Sequence, residues 1–141
     1  MSSLSPSFQI HLLAAASPGQ TASEAMLAIT FDLLAERLQK FERLHFEMDG
    51  SFVWTGAAPN DEASDEPSDE SRHWLLDGML YDQRQQIQRI ELKGRCPHLE
   101  WRKLLSATDY PLQSLIAYDL MSRSLVSVEN LESTMWSPPS A

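Results

Sequence analysis

Trp74–Gly94 reads WLLDGMLYDQRQQIQRIELKG, two short apolar runs flanking a polar patch, and the way those runs pair decides what the chain builds. Side chains alternate faces along a strand. Trp74, Leu76, Gly78 and Leu80 therefore share one face of the first run, and Leu75, Asp77, Met79 and Tyr81 the other. The second run divides into Gln88, Ile90 and Leu92 against Ile87, Arg89, Glu91 and Lys93. A reversal centred on Arg84 sets Glu91 across from Asp77 and Lys93 across from Leu75, and gathers Ile90 and Leu92 with Trp74, Leu76 and Leu80 on a buried face. A slip of one residue would turn the second strand's apolar set outward. Two like charges directly opposite destabilise a sheet, and a cation held between Asp77 and Glu91 would offset that cost.

Upstream, Arg43–Gly56 reads as another hairpin. With Gly50 supplying a left-handed turn residue, Leu44 pairs with Trp54 and Phe46 with Phe52 on one face, while His45 lies on the other, an exposed or half-exposed strand histidine with no second His or Cys at metal-ligand spacing. Before it, Thr21-Ala22-Ser23-Glu24 has the capping-box pattern. Ala22, Ala25, Met26, Ile29, Leu33 and Phe41 then recur at helical spacing, which predicts one long amphipathic helix to about Glu42. Residues 1–20, rich in Ser, Pro and Gly, read as a mobile leader. Between the hairpins, residues 57–71 (AAPNDEASDEPSDES) carry Pro, Ser and acid with no apolar period, the composition of a disordered loop.

Downstream, Cys96 and His98 flank a proline, too few ligands for a tetrahedral metal site, and read as a packed thiol and a helix-start histidine. His98–Ala107 reads as a short helix. Asp109 is a candidate cap for a second helix with Pro111 in its first turn and Leu112, Leu115, Ile116 and Leu120 spaced to pack. Ser124–Glu129 reads as a last strand, and residues 137–141 as a fraying tail. The expected fold is one α+β (or α/β) domain over residues 21–136, with a mostly antiparallel sheet of four to five strands from two hairpins, packed by the long N-terminal helix and the C-terminal helices.

The 141 residues suffice for one domain with a real core. No apolar run is long enough to cross a bilayer, and no Lys or Arg precedes the apolar patch Ile10–Ala16, which argues against a secretory signal. The single cysteine excludes an internal disulfide and fits a reducing compartment, so a cytoplasmic location is expected. Net charge is −9, with six acids (Asp61, Glu62, Asp65, Glu66, Asp69, Glu70) crowded into 57–71. About three net negative charges remain without them, a balance that disfavours nucleic acid as a partner.

The order helix, antiparallel strands, helix, strand, with Asp77 on one strand and Glu91-Leu92-Lys93 on the next, resembles the PD-(D/E)XK nuclease superfamily. That resemblance implies a Mg²⁺-dependent nuclease in which Asp77, Glu91 and the Leu92 carbonyl hold the metal and Lys93 orients or activates the attacking water. Hard oxygen ligands suit Mg²⁺, and the ion and lysine would stabilise charge developing at a phosphodiester. A helix acid, Glu24 or Glu36, would complete such a site. Several features depart from the family pattern: no proline precedes Asp77, Asp82 is a rival for the lone acid, and the domain is acidic. A different class of function fits the same composition: a non-enzymatic acidic protein-interaction module, chaperone or adaptor-like, acting on a protein partner or as a homodimer. Four tryptophans (Trp54, Trp74, Trp101, Trp136) serve cores and interfaces alike.

Overall fold

A computed structural model describes residues 4–15, 25–57 and 73–136. The expected leader in part (1–3, 16–20), the Thr21–Glu24 capping box, nearly all of the acidic loop (58–71) and the tail (137–141) lie outside the described residues. The strands are β1 (Phe8–Ala14), β2 (Leu44–Phe46), β3 (Ser51–Ala57), β4 (His73–Gln83), β5 (Gln86–Gly94), β6 (Leu115–Asp119) and β7 (Ser124–Ser127). The helices are α1 (Phe31–Leu38), α2 (His98–Ala107) and α3 (Val128–Met135). All seven strands join one antiparallel sheet in the order β2-β3-β4-β5-β1-β6-β7.

The sheet has seven strands where four to five from two hairpins were expected, and the architecture corrects the expected elements in four places. There is no long N-terminal helix; α1 begins only at Phe31. Ala25, Leu27 and Ile29 are buried while Ala28 is exposed, the period of two of an extended chain, and this stretch clamps the tip of the β4–β5 hairpin. The Leu27 amide donates to the Ile87 carbonyl (2.9 Å), the Ile87 amide to Ile29 (3.1 Å) and the Phe31 amide to Gln85 (2.7 Å). Thr30 then takes the cap, its Oγ1 accepting from the Leu33 amide at 3.3 Å, with Asp32 in the first turn favouring the positive end of the helix.

The second correction is β1, which lies within the segment read as a leader. Phe8, Ile10, Leu12 and Ala14 alternate inward along it, and it is paired on both sides, with β5 (Phe8 across from Gly94) and with β6 (Ala14 across from Leu115). The third lies after α2. Asp109 has φ +69°, outside the extended region of a helix cap, and the apolar run behind it forms β6, with Leu115 and Ala117 inward and Ile116 and Tyr118 outward. The fourth is the last strand, expected over Ser124–Glu129: it stops at Ser127, which caps α3 with its Oγ accepting from the Asn130 amide at 3.1 Å, so Val128 and Glu129 open a helix instead.

The first hairpin pairs Leu44 with Trp54 and Phe46 with Phe52. The second is tighter at its tip and irregular above it. Arg84 and Gln85 both have positive φ (53° and 72°), the two-residue primed turn that matches strand twist. A bulge then leaves Gln88 unpaired between Asp82/Ile87 and Tyr81/Arg89. Asp77 consequently faces Lys93, and Glu91 faces Met79.

The inward side chains of β1, β3, β4, β5 and β6 form one core with Leu34 and Leu38 of α1, Trp101, Leu104 and Leu105 of α2, and Val128 and Leu131 of α3. All three helices therefore cover the same face, and no described helix covers the other. Within the core the Phe52 ring lies over Gly78, its cross-strand neighbour; a Cβ there would meet Phe52 Cζ at 2.0 Å. Gly78→Ala is expected to destabilise the protein by about 1–3 kcal/mol through overpacking, against the gain that Gly→Ala normally brings in a strand. Urea unfolding checks this: the midpoint falls with the slope unchanged.

Candidate functional site

The open face of the sheet presents the outward residues of each strand in register. One row runs Val53, Asp77, Lys93 and Gln9; the next runs Ser51, Met79, Glu91, His11 and Tyr118. Asp77, Glu91 and Lys93 thus share one face, around a cavity of about 170 Å³ also lined by Gln9, His11 and Met79.

Their neighbours differ from those expected. The residue across from Asp77 is Lys93, so opposite charges stand where like charges were predicted, and Glu91 is one step away on the diagonal. Diagonal positions on a sheet face are about 7–8 Å apart. Glu91 turns to its other side: its Oε2 accepts from Arg89 Nε at 3.0 Å and lies 3.3 Å from His11 Nε2 on β1. Arg89 is itself fixed, its guanidinium carbon 3.9 Å from the centre of the Tyr81 ring, a cation–π contact. Leu92 sits in an interior strand laddered to both β4 and β1, with its side chain buried.

The first neighbours of both acids are cations or hydrogen-bond donors rather than a second carboxylate. Glu91 Oε2 is engaged by Arg89 and His11, and the residue across from Asp77 is a lysine. Among the described residues no group of three or more His, Cys, Asp or Glu is placed to hold a metal ion. Glu36 lies on α1, on the covered side of the sheet, within 4.0 Å of Lys40; Glu24 lies outside the described residues. Cys96 and His98 belong to the packing of the helices. The Cys96 thiol is buried, which pushes its pKa up and keeps it protonated, and its carbonyl accepts from Trp136 Nε1 at 3.1 Å. His98 stacks on Trp136 and lies 3.4 Å from Glu132 Oε2. His45 is exposed on the edge strand β2.

Outside the predicted trio, the open face carries His11, Arg89 and Tyr81 as a linked network, flanked by Leu13, Ile116, Tyr118 and Leu125 on β1, β6 and β7. The alternation Gln9-His11-Leu13 is visible in the sequence, but only the position of β1 beside β5 brings His11 to Glu91. Comparison with protein-family models, with curated proteins and with solved structures gives no match.

The His11 pKa is lowered from the usual histidine value, first by burial, with Arg89 adding to the shift and Glu91 opposing it. A histidine held below its unfolded pKa binds fewer protons in the folded state, so its contribution is intact above about pH 6.5 and stability is lost as pH falls through the folded value. Glu91→Gln is expected to lower the His11 pKa further and Arg89→Ala to raise it. An NMR titration of the imidazole carbons in the two variants reads both signs.

Proposed function

We propose that the chain is a non-enzymatic protein-interaction module, chaperone or adaptor-like, that pairs with a second copy of itself through the open face of the sheet. The observation that carries this reading is the one-sided cover: three helices on one face, and on the other an uncovered surface where Leu75 and Leu125 are 45% and 51% exposed beside Met79, Ile116 and Tyr118. Seven strands about 4.8 Å apart give that face a projected area of roughly 600 Å², close to the ~800 Å² that each partner contributes to a standard interface.

Charge supports a second copy as the occupant. The chain carries −9, yet Asp77 and Glu91 on this face are matched by Lys93 and Arg89, so two copies meet here without the repulsion their acidic surfaces otherwise impose. Burying Glu91 is tolerable because its partners are already in place. Among the described residues no helix is long and apolar enough to cross a membrane, and a buried, protonated Cys96 suits the cytoplasm. The metal-dependent phosphodiesterase reading draws its support from Asp77, Glu91 and Lys93 sharing the face, and predicts a saturable Mg²⁺ site that both acids build.

Sedimentation velocity across a concentration series separates the two. A dimer is expected at micromolar concentration that shifts to monomer in Ile116→Lys and in Leu125→Lys, with circular dichroism unchanged; a monomer throughout overturns the pairing. Calorimetric Mg²⁺ titration is expected to give the same trace for wild type, Asp77→Asn and Glu91→Ala. Saturable binding lost in both variants would return the chain to the nuclease reading.

A further inference from the structure

We infer that the groove between α1 and α2, on the helical side of the molecule, binds an acidic amphipathic peptide segment of a partner protein. On α2, Leu99, Arg102, Lys103 and Ser106 fall at i, i+3, i+4 and i+7, one outward stripe along the helix. Opposite them Arg37 projects from α1, with Lys40 and Phe41 just past its C-terminus. Together these residues and Ala107 line a groove of about 460 Å³.

Its floor is apolar: Leu99 is 55% exposed, and Phe41 is half-buried, stacked on Trp54 at 4.9 Å. A single exposed leucine is ordinary, but this one lies beside an aromatic ring and is rimmed by four cations. Among the described residues no carboxylate lines the groove, in a chain where acids outnumber Lys and Arg by 20 to 11.

The rim divides into anchored and available charges. Arg37 Nη1 donates to Asp109 Oδ1 at 2.8 Å and to the Ala107 carbonyl at 2.9 Å, which ties α1 to the C-terminal end of α2. Arg102 Nη2 lies 2.8 Å from Glu132 Oε1 on α3. Those two hold the walls. Lys40 has only a 4.0 Å contact with Glu36, both well exposed, a pair of little worth, and Lys103 makes no ion pair among the described residues. Two ammonium groups above an apolar floor suit a ligand that offers an apolar side chain flanked by carboxylates. A polyanion such as nucleic acid or an anionic membrane meets the field of the whole acidic chain, whereas a short peptide meets chiefly the groove, within a Debye length of the lysines.

The test uses the full chain and a fluorescein-labelled synthetic peptide with two leucines flanked by glutamates. Two matched peptides replace the glutamates by glutamine or the leucines by serine, and fluorescence anisotropy is read at low and at physiological salt. Saturable binding of the parent is expected, weaker at higher salt, at least about tenfold weaker for either matched peptide, and about fivefold or more weaker in Lys40→Glu and in Lys103→Glu. Both substitutions are at exposed positions, and an unchanged thermal melt shows that the fold is intact. Ile116→Lys, on the opposite face, leaves binding unchanged, so this groove and the proposed dimer face fail or succeed separately. No binding, binding indifferent to both lysine reversals, binding lost in Ile116→Lys, or lysine-dependent binding of phosphatidylserine vesicles or inorganic phosphate in place of the peptide each overturns the inference.

Discussion

The pairing of β1 between β5 and β6 is the constraint on which the rest of the molecule depends. An interior strand has backbone N–H and C=O groups directed to both sides, and buried groups of this kind must find partners. Phe8–Ala14 supplies them for the β1-facing edges of β5 and β6 at once. Without it the sheet divides into β2-β3-β4-β5 and a β6–β7 hairpin, and an isolated hairpin is marginal in water. The same strand ties the sheet to the helices: the Phe8 ring stands edge-on to Trp101 at 6.0 Å and to Trp136 at 6.3 Å. These pairings join residues distant in the chain, so the entropy of closing long loops is met before any ladder energy is gained.

The helices explain why one face stays open. At eight, ten and eight residues, none is long enough to persist alone in water. Each exists because an apolar stripe docks on the sheet: Leu34 and Leu38 for α1, Trp101, Leu104 and Leu105 for α2, Val128 and Leu131 for α3. The strands present most of their apolar side chains to that one side, which leaves on the other a partly exposed set that includes Leu75 and Met79 on β4 and Ile116 and Leu125 on β6 and β7. Antiparallel sheets tolerate a solvated face. Here that face is mixed, with a charge network at its centre and apolar side chains towards β6 and β7.

Much of this is legible locally and little of it globally. The first hairpin follows from Gly50 and the alternation around it, and the buried faces of Trp74–Leu80 and Ile90–Leu92 follow from period alone. Ala25–Ile29 illustrates the limit. Ala25, Met26, Ile29 and Leu33 match a helix, while Ala25, Leu27 and Ile29 match a strand, and what decides between them is the hairpin tip that Leu27 and Ile29 bind. Leu112–Leu120 fits both periods in the same way, and short apolar runs commonly do. Phe8–Ala14 alternates cleanly, but no local signal says that an N-terminal segment enters the middle of a sheet.

The separation of Asp77 from Glu91 has a specific physical origin in Ile87. A reversal centred on Arg84 keeps Ile90 and Leu92 inward but turns Ile87 to solvent. A plain two-residue turn at Arg84-Gln85 buries Ile87 and would turn Ile90 and Leu92 outward, since the pairing then joins residues of opposite facing. One unpaired residue between them, Gln88, reconciles the two, and Ile87, Ile90 and Leu92 are 0%, 0% and 1% exposed. The cost is a left-handed conformation at Arg84 and at Gln85, about 1–2 kcal/mol each. Against it stand about 1.5–3 kcal/mol from burying Ile87 and the hydrogen bonds of Ile87 and Gln85 with Leu27, Ile29 and Phe31, about 0.5–1.5 kcal/mol apiece. Core burial therefore sets the register, and the register places Lys93 rather than Glu91 across from Asp77. The spacing Ile87-x-x-Ile90-x-Leu92, three then two, is the mark of that bulge in the sequence, and it outweighs any placement of two acids on a solvated face.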